Sequence, residues 1–561
     1  MKYYKIIFSL LIGVFSVLFI GCEEKVLDKT PKNTYSENDV WGDINLAAAY
    51  LNDAYDGVGK WGVDWDNPRN TPAGLTDNTM QRGNHGFWVY NTGDITPSSY
   101  GACNRWDWNY ENIRICNVFL KRVDEIEDAA ADEVNSLKAQ ARYIRANCYA
   151  DLLNYYSWWE GENNGVPLIK EPFELDDDFA VERDSYDDVL NFIISELDAA
   201  KANLPTRAEQ SDEDWGKPTK GACQALKAEQ LLYAASSRHN GTEEDWIKAR
   251  DASKAIIEMD QYSLVGENGC DDFMDYAQIW LDRGNSEIIF ARSYHPQYVD
   301  DNWIDKMTGP NGFTGWGGDC PTQDLVDEFE MANGMMINEQ NSGYDPENPY
   351  EGRSVRFYAN IIYNGRQYRG REIEAYLPAE GSSVAPGIDS RASEIQRWNS
   401  SPTSYWHYKF HDESVDFKTT NSDVPLIIFR LGEVYLNYAE AEYHLGNTEI
   451  AREYVNKIRN RVNLPDIPAS EFDMEDIRHE RRLELAFENN HRFCDVRRWE
   501  ILDETASKDA IRMAIYKDDD GSLTYEKKVA QERKFKPAMY NFPIPFEEMQ
   551  KAPSLTQNPD Y

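Results

Sequence analysis

Apolar positions recur at three- and four-residue intervals along several stretches, each followed by a short turn and another stretch of the same kind. In KPTKGACQALKAEQLLYAASSRHNGTEEDWIKARDASKAIIEM, residues 217–259, the spacing sets Ala222, Ala225, Leu226, Ala228 and Leu232 on one helix face. Trp246, Ala249, Ala252 and Ile256 repeat the pattern on a second helix. Residues 433–460 follow the same design, with Leu445, Gly446 and Asn447 as the turn and alanines where two helices would cross. Segments 107–128 and 133–157 read as another antiparallel pair, and 473–489 as a late helix. Small residues at crossing points let two helices approach closely, as in tetratricopeptide pairs. The expected fold is therefore mainly α, with tetratricopeptide-like helix pairs stacked into a scaffold.

Three segments break the helical rhythm: roughly 58–106, 263–330 and 335–425. They are rich in Gly, Asn, Asp, Pro and aromatic residues, which favours turns, short strands and irregular loops. Their aromatic content argues against disorder, and long ordered loops in a compact domain are usually functional. These insertions are expected to carry the ligand face.

The N-terminus has a pattern of its own. Lys2 and Lys5 precede an apolar run from Ile6 to Ile20, 15 positions, short of the roughly 20 that a transmembrane helix needs. Residues 1–21 therefore read as a removable signal peptide. The order Leu18, Phe19, Ile20, Gly21, Cys22 resembles a bacterial lipobox, in which cleavage leaves an acylated cysteine at the new N-terminus. Several acyl chains on Cys22 would hold the protein stably to a membrane, since each buried methylene contributes roughly 0.8 kcal/mol. Glu23 and Glu24 resemble the acidic signal that sends many Bacteroidetes lipoproteins to the outer face of the outer membrane.

Beyond Cys22 no apolar run reaches transmembrane length, and mean hydropathy is -0.69. With 41% hydrophobic residues the chain can bury a large core. A net charge of -40, from 98 acids and 58 bases, argues against nucleic acid and anionic membrane surfaces as partners. Cysteines 103, 116, 148, 223, 270, 320 and 494 are widely spaced without a C-x-x-C pair, so they imply structural thiols rather than a disulfide framework or zinc cluster.

Motifs spread over the whole mature chain resemble those of the SusD/RagB family of outer-membrane nutrient-binding lipoproteins. They begin with DKTPKNTYSENDVW and YENIRICNVFL (110–120), and continue through ARYIRANCYADLLNYYSWW (141–159) and KPTKGACQALKAEQLLYAA (217–235). IIFRLGEVYLNYAEAEYHLGN (427–447), IRHERRLELAFENNHRFCDVRRW (477–499) and the closing NFPIPFEEMQKAPSLTQNPDY complete the set. From the residues alone these motifs are mostly architecture. In the 477–499 run Arg481, Arg482, Arg497 and Arg498 can bridge carboxylates of neighbouring helices, a role suited to arginine's planar fork. The resemblance implies an N-terminal helical region over 22–260, with the insertion 58–106, and a C-terminal region over 261–561 with the other two. It also implies a partner, a SusC-like TonB-dependent transporter on which such proteins sit as a lid, and a ligand that is bound without being cleaved. The ligand is an oligosaccharide or polysaccharide, or a peptide in RagB-like members.

Sugar rings expose a face of C–H bonds, so their sites offer flat aromatic rings beside a few polar groups. The chain has 16 Trp and 34 Tyr. By the resemblance, HGFWVYNTGD (85–94) assigns glycan contacts to Trp88, Tyr90 and Asn91; alternation of Phe87 and Val89 with Trp88 and Tyr90 equally fits a strand with one buried face. GKWGVDWDNPRN (59–70) offers Trp61 and Trp65, either exposed for a ligand or buried under their own loop. YVDDNWIDKMTGPNGFTGWGGD (298–319) offers Tyr298, Trp303 and Trp316, the last of which could also anchor a tight turn.

Signals for an enzyme do not single out a site. No spacing distinguishes an Asp/Glu pair as a glycosidase dyad, His407 and His411 lack a third metal ligand, and DDDGSLTYEKK fails the register of a calcium loop and reads as a hairpin turn. No catalytic residue, metal or cofactor is expected. The alternatives to glycan capture are peptide capture and a surface glycoside hydrolase.

Overall fold

The computed structural model describes residues 35–59, 71–82, 87–100, 104–174, 176–177, 179–294 and 303–561. Cys22, Trp61, Trp65 and Tyr298 lie outside the described residues.

Ten helices build the scaffold: α1 (Ile44–Ala54), α2 (Trp106–Arg122), α3 (Ala131–Tyr156), α4 (Tyr186–Lys201), α5 (Lys220–Ala235), α6 (Glu243–Ile257), α7 (Leu431–His444), α8 (Thr448–Asn460), α9 (Met474–Glu484) and α10 (His491–Arg498). From α1 to α6 each packs on the next; α6 then packs on α7, and α7 on both α8 and α9. Polar caps set several starts. Thr219 accepts from the Ala222 amide, Ser185 from that of Asp188, and Thr242 and Asp473 form capping boxes. Ala222, Ala228, Ala249, Ala252, Ala439, Ala441 and Ala451 are all buried, so the expected close crossings are present. The helix expected over 473–489 stops at Glu484. Phe487 (φ 64°) and Asn489 (φ 43°) adopt left-handed backbone that an α-helix cannot continue. The resulting turn aims α10 in a new direction.

Residues 258–430 leave the scaffold after α6 and rejoin it at α7. Both ends of this insertion are fastened by one antiparallel pair, β2 (Ile288–Arg292) with β4 (Leu426–Arg430), in which Ala291 faces Ile427 and Arg292 faces Leu426. The insertion is not free of helix. Phe273–Leu281 is a capped helix whose Tyr276, Ala277 and Trp280 are buried, so the expectation of an irregular 263–330 is corrected there. Strands β5 (Ala510–Lys517) and β6 (Leu523–Gln531) form the expected hairpin, closed by the Asp518 amide donating to the Ser522 carbonyl at 3.0 Å. Six cysteines (116, 148, 223, 270, 320, 494) are buried free thiols, as expected.

Insertion and scaffold meet on a buried ionic lattice. Arg430 bonds Glu287 (2.7 Å), Glu484 (2.8 Å) and Glu488 (2.7 Å); Arg461 bonds Glu287 (2.7 Å) and Glu484. Arg356 reaches Glu480 at 2.6 Å, Arg459 reaches Glu330 at 2.9 Å and Glu480 at 3.2 Å, and Lys409 reaches Glu488 at 2.5 Å. All ten side chains are buried, and five cations match five carboxylates. Glu287, Glu330, Arg356 and Lys409 belong to the insertion, while Arg459, Glu480 and Glu484 lie on α8 and α9. Loss of either partner from such a pair strands a charge, at a cost of about 3–5 kcal/mol.

Gly432, in the first turn of α7, makes room for this lattice. A Cβ there would sit 2.3 Å from Arg430 Nη1 and 2.9 Å from Glu287 Oε1. Gly432→Ala is therefore expected to destabilise the protein by about 1–3 kcal/mol through overpacking, although alanine in a helix ordinarily gains about 1 kcal/mol over glycine. Urea unfolding checks it, and an unchanged or higher midpoint would contradict the packing account. Acid should act on the same lattice. Burial pushes the Glu488 carboxyl up, but the Arg430 and Lys409 charges outweigh it and hold the group at about 2, below its ordinary 4.5. Glu484 is likewise held low by Arg461, Arg430 and Arg356 against the opposing effect of burial. The contribution of these groups is complete above pH ~4.5 and declines as pH falls toward ~2. Unfolding midpoints measured across that window should drop steeply, with a smaller drop in Glu488→Gln.

Candidate functional site

Three segments that are distant in sequence are tied side by side. The first runs from Thr71 through β1 (Thr79–Gln81) to the short helix Trp88–Asn91. The second runs from Trp303 through the helix Ile304–Thr308 to β3 (Asp319–Pro321). The third surrounds the single turn Arg397–Asn399. Strands β1 and β3 pair antiparallel, with Met80 opposite Cys320. The Arg82 amide extends the pairing to the Gly318 carbonyl at 3.2 Å, and the Thr322 amide donates to the Asn78 carbonyl at 2.9 Å. Asp319 is fully buried and accepts from the Thr71 amide at 3.0 Å and from the Thr71 hydroxyl. Burial pushes its carboxyl up to about 7. Asn311 Nδ2 donates to the Ile395 carbonyl at 2.9 Å, which joins the second segment to the third.

The aromatic groups on these segments differ in exposure. Trp303 and Trp316 are half-buried, their ring centroids 5.5 Å apart and tilted by 52°. Lys306 Nζ lies 4.7 Å from one centroid and 5.1 Å from the other, within reach of cation–π attraction. The next residue but one, Gly318, follows a tight approach at Gly317 (φ 53°), where a Cβ would lie 2.4 Å from the Asn399 carbonyl oxygen. Only glycine lets the Trp316 turn close on the third segment. On that segment Trp398 is 66% exposed. Its turn is fixed by Asn399 Nδ2 donating to Gln396 Oε1 at 2.9 Å and Ser400 Oγ donating to the Arg397 carbonyl at 2.7 Å. A large indole held in water on a rigid turn is a ready stacking surface. The sequence reading did not pick out Trp398. Its one local signal is a tryptophan among Gln, Arg, Asn and Ser, with no apolar neighbour to bury it.

The 85–94 motif folds differently from either expectation. Trp88–Asn91 is a helical turn, neither loop nor strand, because the Asn91 and Thr92 amides bond back to the Phe87 and Trp88 carbonyls, each at 2.9 Å. Trp88 is half-buried. Tyr90 is buried, its hydroxyl donating to the Met539 carbonyl at 2.9 Å and meeting Arg497. Asn91 is buried and donates to the Gly74 carbonyl at 3.1 Å. Both are buried and bonded to the protein's own backbone, so in this structure they do not offer ligand contacts. The arginines behave largely as expected. Arg481 pairs with Asp495 (2.8 Å), Arg482 with Glu328 (2.7 Å) and Arg498 with Glu440 (2.5 Å), whereas Arg497 caps the Phe493 and Tyr540 carbonyls instead of a carboxylate. His407 and His411 are buried; His411 is bonded by Thr308 at 2.7 Å and Tyr368 at 3.0 Å, and burial pushes His407 down to about 3.

A second cleft of about 420 Å³ lies where α1 meets β2, lined by Tyr55, Asp53, Asp56, Trp215, Lys217 and Arg292 among others. Its Arg292 and Asp56 are bonded to each other at 3.2 Å, so its polar groups are partly satisfied within the protein. Among the described residues no helix is long and apolar enough to cross a membrane.

Comparison with known proteins places this architecture. The model of the SusD family matches residues 286–561, and a second, described as starch-binding associating with outer membrane, matches residues 25–231. A SusD-like protein of Bacteroides ovatus is 23% identical over 544 residues, covering 92% of this chain and 88% of its own. The solved structure of a SusD-like protein from Bacteroides fragilis superposes with a TM-score of 0.76 at 27% identity, covering 95% of this chain and 100% of that one. A SusD-like carbohydrate binding protein from the same species gives 0.75 at 23% identity, covering 92% and 100%. With tetratricopeptide-like helices as scaffold and long insertions on one part of it, the chain belongs to the SusD/RagB family.

Proposed function

We propose that this protein captures an oligosaccharide or polysaccharide on the aromatic surface of Trp303, Trp316 and Trp398 and passes it to a SusC-like TonB-dependent transporter. The observation that carries the reading is the rigid exposure of Trp398 on a turn fastened to the segment that holds the Trp303–Trp316 pair. Two tilted indoles and a third exposed one match the C–H faces of successive sugar rings, and Lys306 and Arg397 supply donors for hydroxyls. The carbohydrate-binding description of one structural neighbour and the starch-binding description of one matching family model support this ligand class. The role is binding without bond cleavage. Trp61, Trp65 and Tyr298, which lie outside the described residues, extend the surface in this reading. In the same reading Cys22 carries the acyl chains that hold the protein to the outer membrane, facing the exterior.

Native affinity electrophoresis of residues 23–561 through gels containing plant, fungal and host polysaccharides tests the capture. Retardation by one polymer is expected, with affinity reduced at least tenfold, about 1.4 kcal/mol, in Trp398→Ala and Trp316→Ala. Tyr90→Phe, which removes the hydroxyl's bonds to the Met539 carbonyl and Arg497, should lose about 1–3 kcal/mol of stability and leave retardation unchanged. Equal retardation of wild type and both tryptophan variants would refute the platform; no retardation, with peptides co-purifying, would favour peptide capture. Metabolic labelling with palmitate tests the anchor: incorporation is expected in the full-length chain and should vanish in Cys22→Ala, whose product should leave the membrane fraction.

A further inference from the structure

Glu229 on α5, Glu433 in the first turn of α7 and His491 at the start of α10 converge in the interior of the helical scaffold. Each offers a ligand atom, and the three atoms lie within 4.8 Å of one another. The three residues are 4%, 1% and 2% exposed. We propose that this triad is a structural site for a divalent transition-metal ion, Zn²⁺ best fitting its ligands, which locks α5, α7 and α10 together.

Two independent features point to a cation. The first is hydrogen bonding. Glu229 Oε1 accepts from Gln230 at 3.2 Å and Glu433 Oε1 from Asn437 at 3.1 Å, but Glu229 Oε2, Glu433 Oε2 and His491 Nδ1 are buried without a hydrogen-bond partner. His491 Nε2 approaches Glu433 Oε2 at 3.8 Å, too long for a hydrogen bond. Gln230 Oε1, on the same helix as Glu229, is also buried without a hydrogen-bond partner.

The second feature is charge. The lattice at the insertion balances five against five. Beside the triad, Arg481 and Arg498 are matched by Asp495 and Glu440: Arg481 Nε meets Asp495 at 2.8 Å, and Arg498 meets Glu440 at 2.5 Å and Asp495 at 2.8 Å. Arg481 Nη1 is bonded to Asn437. Glu229 and Glu433 make no ion pair with an arginine or lysine among the described residues, their one charged approach being His491 to Glu433 at 3.8 Å, and burying ionised carboxylates without a partner costs several kcal/mol each. A divalent ion cancels both. Two carboxylates and an imidazole suit Zn²⁺, with Mn²⁺ or Fe²⁺ as lesser fits, whereas Ca²⁺ and Mg²⁺ take oxygen ligands only.

The test is metal analysis of residues 23–561, purified without nickel resin and dialysed against chelator-treated buffer. About one equivalent of a divalent transition metal should remain bound, or be taken up on adding Zn²⁺ or Mn²⁺, with a rise in melting temperature. Retention should fall at least tenfold in Glu433→Gln and His491→Gln. If those variants do not fold, wild type refolded with Co²⁺ should show visible d–d absorption from a nitrogen and oxygen ligand field. Wild-type protein that holds no metal and whose melting temperature ignores Zn²⁺ and Mn²⁺ would overturn the proposal. So would equal retention in the variants, which would place the metal on the acidic surface, or refolding with Co²⁺ that yields no such band.

Discussion

A buried ionic lattice, five basic side chains interleaved with five glutamates, is the constraint on which the rest of the molecule depends. It ties the insertion of residues 258–430 to helices α8 and α9, while the strand pair β2–β4 closes the insertion on itself. Charges in a low-dielectric interior are intolerant of displacement, because a pair that separates leaves both members stranded. Arg430 ends the strand that returns from the insertion and starts α7, so it fixes the angle at which the insertion sits on the scaffold. Gly432 is the packing counterpart of that role: the space a methyl group would take is occupied by the guanidinium and by Glu287.

This rigidity has a functional use. Stacking on sugar faces is weak per ring and is lost if rings must be ordered at the moment of binding. Here the strands β1 and β3, the buried Asp319–Thr71 contact and the Asn311–Ile395 bond hold three loops in register before any ligand arrives. The helices supply no aromatic platform of their own in this reading. They position the insertions.

Much of the scaffold was legible in the sequence because helix pairs write their packing into a 3.6-residue period. The pairs at 217–259 and 433–460 appear almost residue for residue, down to their buried alanines. Helix α4 was equally legible, with Ser185 as cap and Val189, Ile193, Leu197 and Ala200 on one buried face, although it was not among the helices expected. The insertions were legible only as insertions. Their contacts join residues hundreds of positions apart, such as Thr71 with Asp319, and no local period records such a pairing. That is why Tyr90 and Asn91 looked like ligand contacts: their chemistry fits a sugar, but their burial is set by Met539, Arg497 and Gly74. Trp398 escaped notice for the complementary reason, since exposure is decided by what fails to cover a residue.

The central claim is that capture takes place on the fastened loops and not on the helices or in the cleft beside Trp215. Hydrogen–deuterium exchange, measured with and without a polysaccharide that the protein retains, tests this most directly. The account predicts added protection confined to residues 303–318 and 395–400 with their neighbours around Trp88, while α3 to α6 exchange as before. Protection centred on Tyr55, Trp215 and Arg292, or spread along the scaffold helices, would contradict it.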